Sequence, residues 1–219
     1  STETNSRQSS TEKERYQNKD GFMEEVTLLY SGGKDSSLAA YILKKLGFRV
    51  KLCTITFGLQ NNWVHARDAA KHIGFPHKLI KMNVNILQNA CERILKDGYP
   101  NNGINNIHLQ ALKFVAKKNS IVADGTRRDD RAPKLSKSDI RSLEDSNQIE
   151  YIAPLQGIGY RRINKIVKEI VMYDEGSSED FDKGDYESEI RLFLRKEGHN
   201  PENIFPFHIQ SRVVGLRAE

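Results

Sequence analysis

The sequence predicts an α/β protein: a Rossmann-like parallel sheet with helices on both faces, then a short C-terminal helical extension. Short apolar runs alternate with stretches of about 10 to 13 residues whose apolar positions recur at helical spacing. That alternation is the pattern of crossover units and a sheet covered on both sides. A glycine-rich turn, SGGKDSS (31–37), follows the first apolar run directly. It falls at the carboxyl edge of the sheet, where such folds bind ligands. With 219 residues there is room for one such domain and an appendage.

Residues 1–21 are polar and poor in aliphatics, as in a disordered tail. The main domain spans 22–173. Val26–Tyr30 is a buried strand. Asp35–Leu46 places Leu38, Ala39, Ile42, Leu43 and Leu46 on one helical face, and Gly47 ends it. Arg49–Phe57 is a second strand and Trp63–Ile73 a second helix, stopped by Gly74. Phe75–Met82 is a third strand, and Val84–Lys96 a helix followed by the loop DGYPNNG. Asn105–Lys117 is helical, Ile121–Asp124 and Tyr151–Pro154 are short strands, and Arg161–Met172 is a helix. Residues 174–185, DEGSSEDFDKGD, are acidic and short of aliphatics, hence a linker or mobile loop. The extension, 186–219, begins with an amphipathic helix over Tyr186–Lys196, closed by Gly198. Its last segment, FPFHIQSRV, has His208, Gln210, Ser211 and Arg212 after an apolar lead-in, like a segment returning to close a polar site.

No apolar run approaches the roughly 20 residues needed to cross a bilayer, and the N-terminus lacks an apolar signal core. A cytoplasmic protein with no membrane partner is expected. The two cysteines, Cys53 and Cys91, are far apart and form no CxxC, which argues against structural zinc or a redox dithiol. Cys53 suits simple packing in a strand, and Cys91 half-burial on a helix. The net charge of +5 and a pI near 9.1 fit an RNA or nucleotide partner, and fit an ordinary basic enzyme equally well.

The 31–37 turn carries the chemistry. A strand that turns through Gly32 and Gly33 into a helix presents backbone N–H groups and a helix dipole to an anion. Ser31, Ser36 and Ser37 add hydroxyls, and Lys34 adds a positive charge. The stretch lacks the spacer and the Gly-Lys-Ser/Thr ending of a Walker loop. Asp35 is unexpected, since a carboxylate repels phosphate. It fits either by holding Mg²⁺ against the phosphates or by capping the helix.

SGGKDSS after a short apolar strand resembles the SGGxDS signature of the PP-loop ATP pyrophosphatase superfamily. A second stretch, SIVADGTRRDDRAP (120–133), is similar to the DGTxxDD pattern of its sulfur-transferring members. The nearest likeness is to an archaeal group resembling a tRNA 2-thiouridylase subunit. The resemblance implies a Rossmann-related fold and cleavage of ATP to AMP and pyrophosphate through an adenylated intermediate. The cofactors would be ATP and Mg²⁺.

By the same resemblance Ser31, Gly32, Gly33, Lys34, Asp35, Ser36, Ser37, Gly125 and Thr126 would bind the nucleotide. Thr54, Ile55, Thr56 and Phe57, at the end of the second strand, would lie beside the adenine, with Thr56 and Phe57 the named contacts. Lys34, Asp35 and Asp130 would be catalytic, with Mg²⁺ on Asp35 and either Asp129 or Asp130. Arg127 and Arg128 are candidates for pyrophosphate or an RNA phosphate. In NNGINNIHLQAL (101–112) the asparagines are helix caps or face the acceptor. His108, His208 and Arg212 are further candidate substrate contacts.

The implied acceptor is a carbonyl oxygen of a tRNA base, activated for sulfur or nitrogen transfer. Partners would then be tRNA and a sulfur-donor protein, and a homodimer is compatible with the sequence. Two alternatives remain: a small-molecule amide ligase or sulfur transferase, and a non-catalytic nucleotide sensor.

Overall fold

The computed structural model describes residues 23–178, 181 and 183–217. The expected N-terminal tail lies outside the described residues. β1 (Glu25–Leu29) is buried at every position after the first. It pairs in parallel with β2 (Arg49–Thr56), and β2 with β3 (His77–Lys81). On the other side β1 pairs with β4 (Ile121–Ala123), and β4 with β5 (Glu150–Ile152). The five parallel strands thus run in the order β3-β2-β1-β4-β5. The chain winds outward one way from β1, then returns to β1's other side through β4. The gap between the ends of β1 and β4 is therefore the switch point at which open α/β sheets hold ligands.

Period-two alternation in β1 and β2 divides the core into two layers. Val26, Leu28, Val50 and Leu52 face one side, where they pack with α1 (Lys34–Lys45), α2 (Trp63–His72) and α6 (Tyr160–Ile170). Leu29, Cys53 and Ile55 face the other, against α3 (Val84–Asp97), α4 (Asn101–Ala116), α5 (Lys137–Asn147) and α7 (Tyr186–Lys196).

Four details differ from the expectation. Helix α4 starts at Asn101 rather than Asn105, so DGYPNNG is only partly a loop. A Cβ at Gly103 would come within 2.7 Å of Ala90 O and 2.5 Å of Ile94 Cγ1, so this glycine permits the close approach of α3 and α4. Helix α5 was not foreseen. Only Ile140 and Leu143 give it an apolar stripe, and a capping box between Ser136 and Asp139 starts it.

The acidic stretch expected to be a linker is in part a strand. β6 (Val171–Ser177) pairs antiparallel with β7 (Ile209–Leu216) in a separate two-stranded sheet. The extension is accordingly a helix followed by a strand. This ribbon packs one side on α1 and α2, where Val171 and Val213 join the core, and leaves much of the other exposed. Among the described residues no helix is long and apolar enough to cross a membrane.

Candidate functional site

A cleft of about 360 Å³ opens at the switch point. Its floor is the 31–36 turn, one wall is the 124–130 loop, and the ribbon with residues 183–187 closes it from above. Gly32 has φ 82°, and a Cβ there would lie 2.9 Å from Ala66 Cα, so α2 abuts the turn. Gly125 meets Ser36 in the same way, at 2.8 Å from its Cα. The two signature loops therefore touch where Gly125 meets Ser36.

Gly33 is the N-cap of α1 and no side chain caps the helix, which removes the capping role from Asp35. The Ser36 and Ser37 hydroxyls both donate back to Gly33 O, at 3.1 and 2.9 Å. Ser37 also contacts Tyr30 Oη at 2.8 Å and is fully buried. Ser37 and Gly32 thus hold the turn's shape and do not line the cleft, whereas Ser31, Gly33, Lys34, Asp35 and Ser36 do. The Lys34 N–H donates to Ser211 Oγ at 3.0 Å, and its ammonium lies 3.9 Å from Glu175. Of the returning tail, His208, Gln210 and Ser211 line the cleft. Arg212 instead stacks on Phe181, 4.1 Å from the ring centre. His208 Nδ1 donates to Pro206 O, and its Nε2 lies 3.3 Å from Glu187.

The RRDD turn sends its members to two places. Arg127 lies between two carboxylates: Nη1 is 3.3 Å from Asp35 Oδ2, while Nε and Nη2 donate to Asp130 Oδ1 at 2.9 and 2.5 Å. Burial opposes its charge, but Asp130 and Asp35 more than compensate and raise its pKa. Asp35 Oδ1 is buried and meets no donor among the described residues. Asp129 points away, accepting the Tyr160 N–H at the start of α6 (2.9 Å), and that bond lowers its pKa. Asp129 and Arg128 line a neighbouring groove rather than the cleft. No group of three or more His, Cys, Asp or Glu side chains capable of holding a metal occurs among the described residues.

The cleft's inner end contains a buried network of which the sequence reading named only His108 and Thr126. Asp124 Oδ2 is 2.6 Å from His108 Nε2 and accepts from Tyr151 Oη at 2.8 Å. Asp124 Oδ1 accepts the Thr126 N–H and hydroxyl at 2.9 and 2.7 Å. Burial works against ionisation of Asp124, but His108 and the Thr126 bonds outweigh it and lower its pKa. All four donors face the carboxylate, so His108 Nε2 carries the proton toward it. His108 Nδ1 contacts Tyr186 Oη at 3.2 Å. The only sequence signal for Asp124 was its place at the end of β4, before a Gly-Thr pair.

The end of β2 meets the expectation only at Ile55. Thr54, Thr56 and Phe57 do not line the cleft; Ile55 does, together with Cys53. The Phe57 and Leu59 N–H groups both donate to the buried Glu189 carboxylate of α7 at 2.9 Å, and Thr56 Oγ1 donates at 3.2 Å. No feature of YESEIRLFLRK distinguished Glu189, which is buried, from the half-buried Glu187. Cys53 and Cys91 are both buried, and burial pushes each thiol up to about 12.

A protein of Methanocaldococcus jannaschii described as the uncharacterized protein MJ0690 is 46% identical over 195 residues, covering 89% of this chain and 98% of its own. The crystal structure of a predicted subunit of tRNA methyltransferase, from the same organism, superposes with a TM-score of 0.84 at 45% identity. That match covers 90% of this chain and 99% of the other. A shorter match, 34% identical over 63 residues, joins 27% of this chain to 20% of the tRNA-5-methyluridine(54) 2-sulfurtransferase of Pyrococcus horikoshii. A family model described as a family of unknown function, DUF7411, matches residues 23–215, and the chain belongs to that family.

Proposed function

We propose that this protein is an ATP-dependent adenylating enzyme of the PP-loop kind. It splits ATP into AMP and pyrophosphate and activates a carbonyl oxygen of a tRNA base for sulfur or nitrogen transfer. One observation carries the reading. Lys34 and the unpartnered Asp35 Oδ1 meet Gly125 and Thr126 across a cleft floored by the SGGKDSS turn. The local similarity to a tRNA sulfurtransferase supports tRNA as the acceptor, as does the structural neighbour, a predicted tRNA methyltransferase subunit.

The turn's backbone and Lys34 would bind the phosphate tail and stabilise the departing pyrophosphate. Mg²⁺ commonly binds through one or two carboxylates plus the phosphates, and Asp35 Oδ1 suits that role. There the ion would neutralise phosphate charge. Sharing it with Asp130 requires Arg127 to leave the position it now holds between the two carboxylates. An adenine in the cleft would lie against Cys53 and Ile55, since Glu189 takes the Phe57 N–H. Neither buried thiol favours a persulfide, so sulfur would come from a partner protein or free sulfide.

The placement of Arg127 favours a second reading, a nucleotide sensor whose carboxylates are neutralised internally. Turnover of α-labelled ATP separates the two. AMP formed with total tRNA and Mg²⁺ supports the enzyme, and AMP formed only with small carbonyl metabolites redirects it to a small-molecule ligase. Binding without turnover supports the sensor, and ADP as product overturns PP-loop chemistry.

A further inference from the structure

Beside the cleft, on the far side of the RRDD turn, lies an open groove of about 560 Å³. Arg128, Arg161, Arg162 and Lys165 line it, and all four are exposed. Asp129 is the one acidic side chain among the described residues that line it, and it is already bonded to the Tyr160 N–H. None of the four cations forms an ion pair with a carboxylate among the described residues. This contrasts with Arg127, which is held by two. Arg128 lies against Gly159, where a Cβ would collide with its guanidinium.

Tyr160 joins the two sites. It lines both the cleft and the groove, is 50% exposed, and its ring centre is 5.1 Å from the Arg127 guanidinium. We propose that this groove is the RNA-binding track of the protein: the four cations hold phosphates of an unpaired strand or loop, and Tyr160 stacks the base that turns into the cleft. The inference rests on the tRNA reading above and names the surface that reading requires.

Three features favour RNA over other polyanions. The arginine forks match phosphate oxygens. An exposed ring beside them suits an unstacked base, which is how RNA is most often recognised. The cleft behind the ring, about 360 Å³, is too small to admit a duplex. A membrane surface would engage the cations without needing the ring.

Fluorescence anisotropy with labelled total tRNA, without ATP, from 50 to 200 mM salt tests this. Failure of adenylation and failure of this surface are thus separate results. Four phosphate contacts predict a slope of log K against log salt near about −3 for the unaltered protein. The triple variant Arg161→Ala, Arg162→Ala, Lys165→Ala should flatten that slope by about 2. Tyr160→Ala should weaken binding by roughly 5- to 100-fold with the slope kept, and Tyr160→Phe should bind normally. All four positions are exposed, and unchanged thermal melting verifies folding. A control of equal charge, Lys96→Ala, Lys117→Ala, Lys118→Ala, should leave the slope in place. Equal flattening by both triples, or salt-independent or absent tRNA binding, overturns the proposal. So does capture by phosphatidylserine vesicles with the same sensitivity to the groove variant.

Discussion

Asp35 has two oxygens in different states, one beside Arg127 and one buried with no partner among the described residues. Asp35→Asn should leave the fold intact, because the side chain is still 25% exposed and its ion pair is screened. Mg²⁺-dependent pyrophosphate release should fall by about 10²-fold or more. Unchanged turnover would remove Asp35 from the chemistry. Asp124 is the opposite case, a carboxylate with every oxygen satisfied and no exposure to spare. Asp124→Asn should cost about 3–5 kcal/mol in urea unfolding, since it breaks a buried pair from one side. The Asp124 pKa is lowered in the fold, so its contribution is complete above the ordinary carboxylate range and is lost as pH falls through the folded value. Urea midpoints should therefore drop below about pH 4, and the acid limb of Asp124→Asn should be flatter. Cys53 and Cys91, with thiols pushed up to about 12, should resist iodoacetamide at pH 8 in the native state and react once unfolded. Mass spectrometry before and after denaturation reads this directly.

Elements with a strong apolar period were legible in the sequence; those defined by close approach or one-sided burial were not. α1 and the inner strands announce themselves, because a helix or strand sealed on the core must repeat its aliphatics. α4 hid its first turn behind NNG, because Gly103 serves a helix–helix contact yet looks like a loop residue. Gly103→Ala should cost about 1–3 kcal/mol through overpacking on Ala90 and Ile94, with nucleotide affinity untouched. Chemical denaturation beside a binding isotherm separates the two effects. α5 did carry a start signal in Ser136 and Asp139. Ser136→Ala should lower stability by about 1 kcal/mol, checked in the same unfolding assay. β6 and β7 escaped notice because each seals few residues on the core, chiefly Val171 and Val213, while Gln210 and Ser211 turn to the cleft.

At the scale of the whole molecule, the two glycine loops, each at the carboxyl end of a strand, were enough to locate the cleft. The return of the tail to that cleft was legible in FPFHIQSRV, but its form as a strand tied to the 31–34 turn was not, because that depends on contacts between residues more than a hundred positions apart. Saturating MgATP should raise the melting temperature by roughly 5–10 °C at a hundredfold excess over Kd, from the mass-action gain and the usual shift for a chain of this size. No shift with ATP, ADP or AMP would leave the cleft without a nucleotide. The Gly184 N–H donates to Ser31 O at 3.0 Å and the Val213 N–H to Gly32 O at 2.9 Å. The proposed phosphate cradle, begun near residue 31, is therefore finished by β7. On the ribosome, a nascent polypeptide stopped at Leu194 already owns every parallel strand, yet its cradle lacks both the Val213 tie and the Ser211 hydroxyl. If the proposed reading holds, competence to hold a nucleotide should thus arrive abruptly, once residues 211–213 are in place, rather than growing as the sheet assembles.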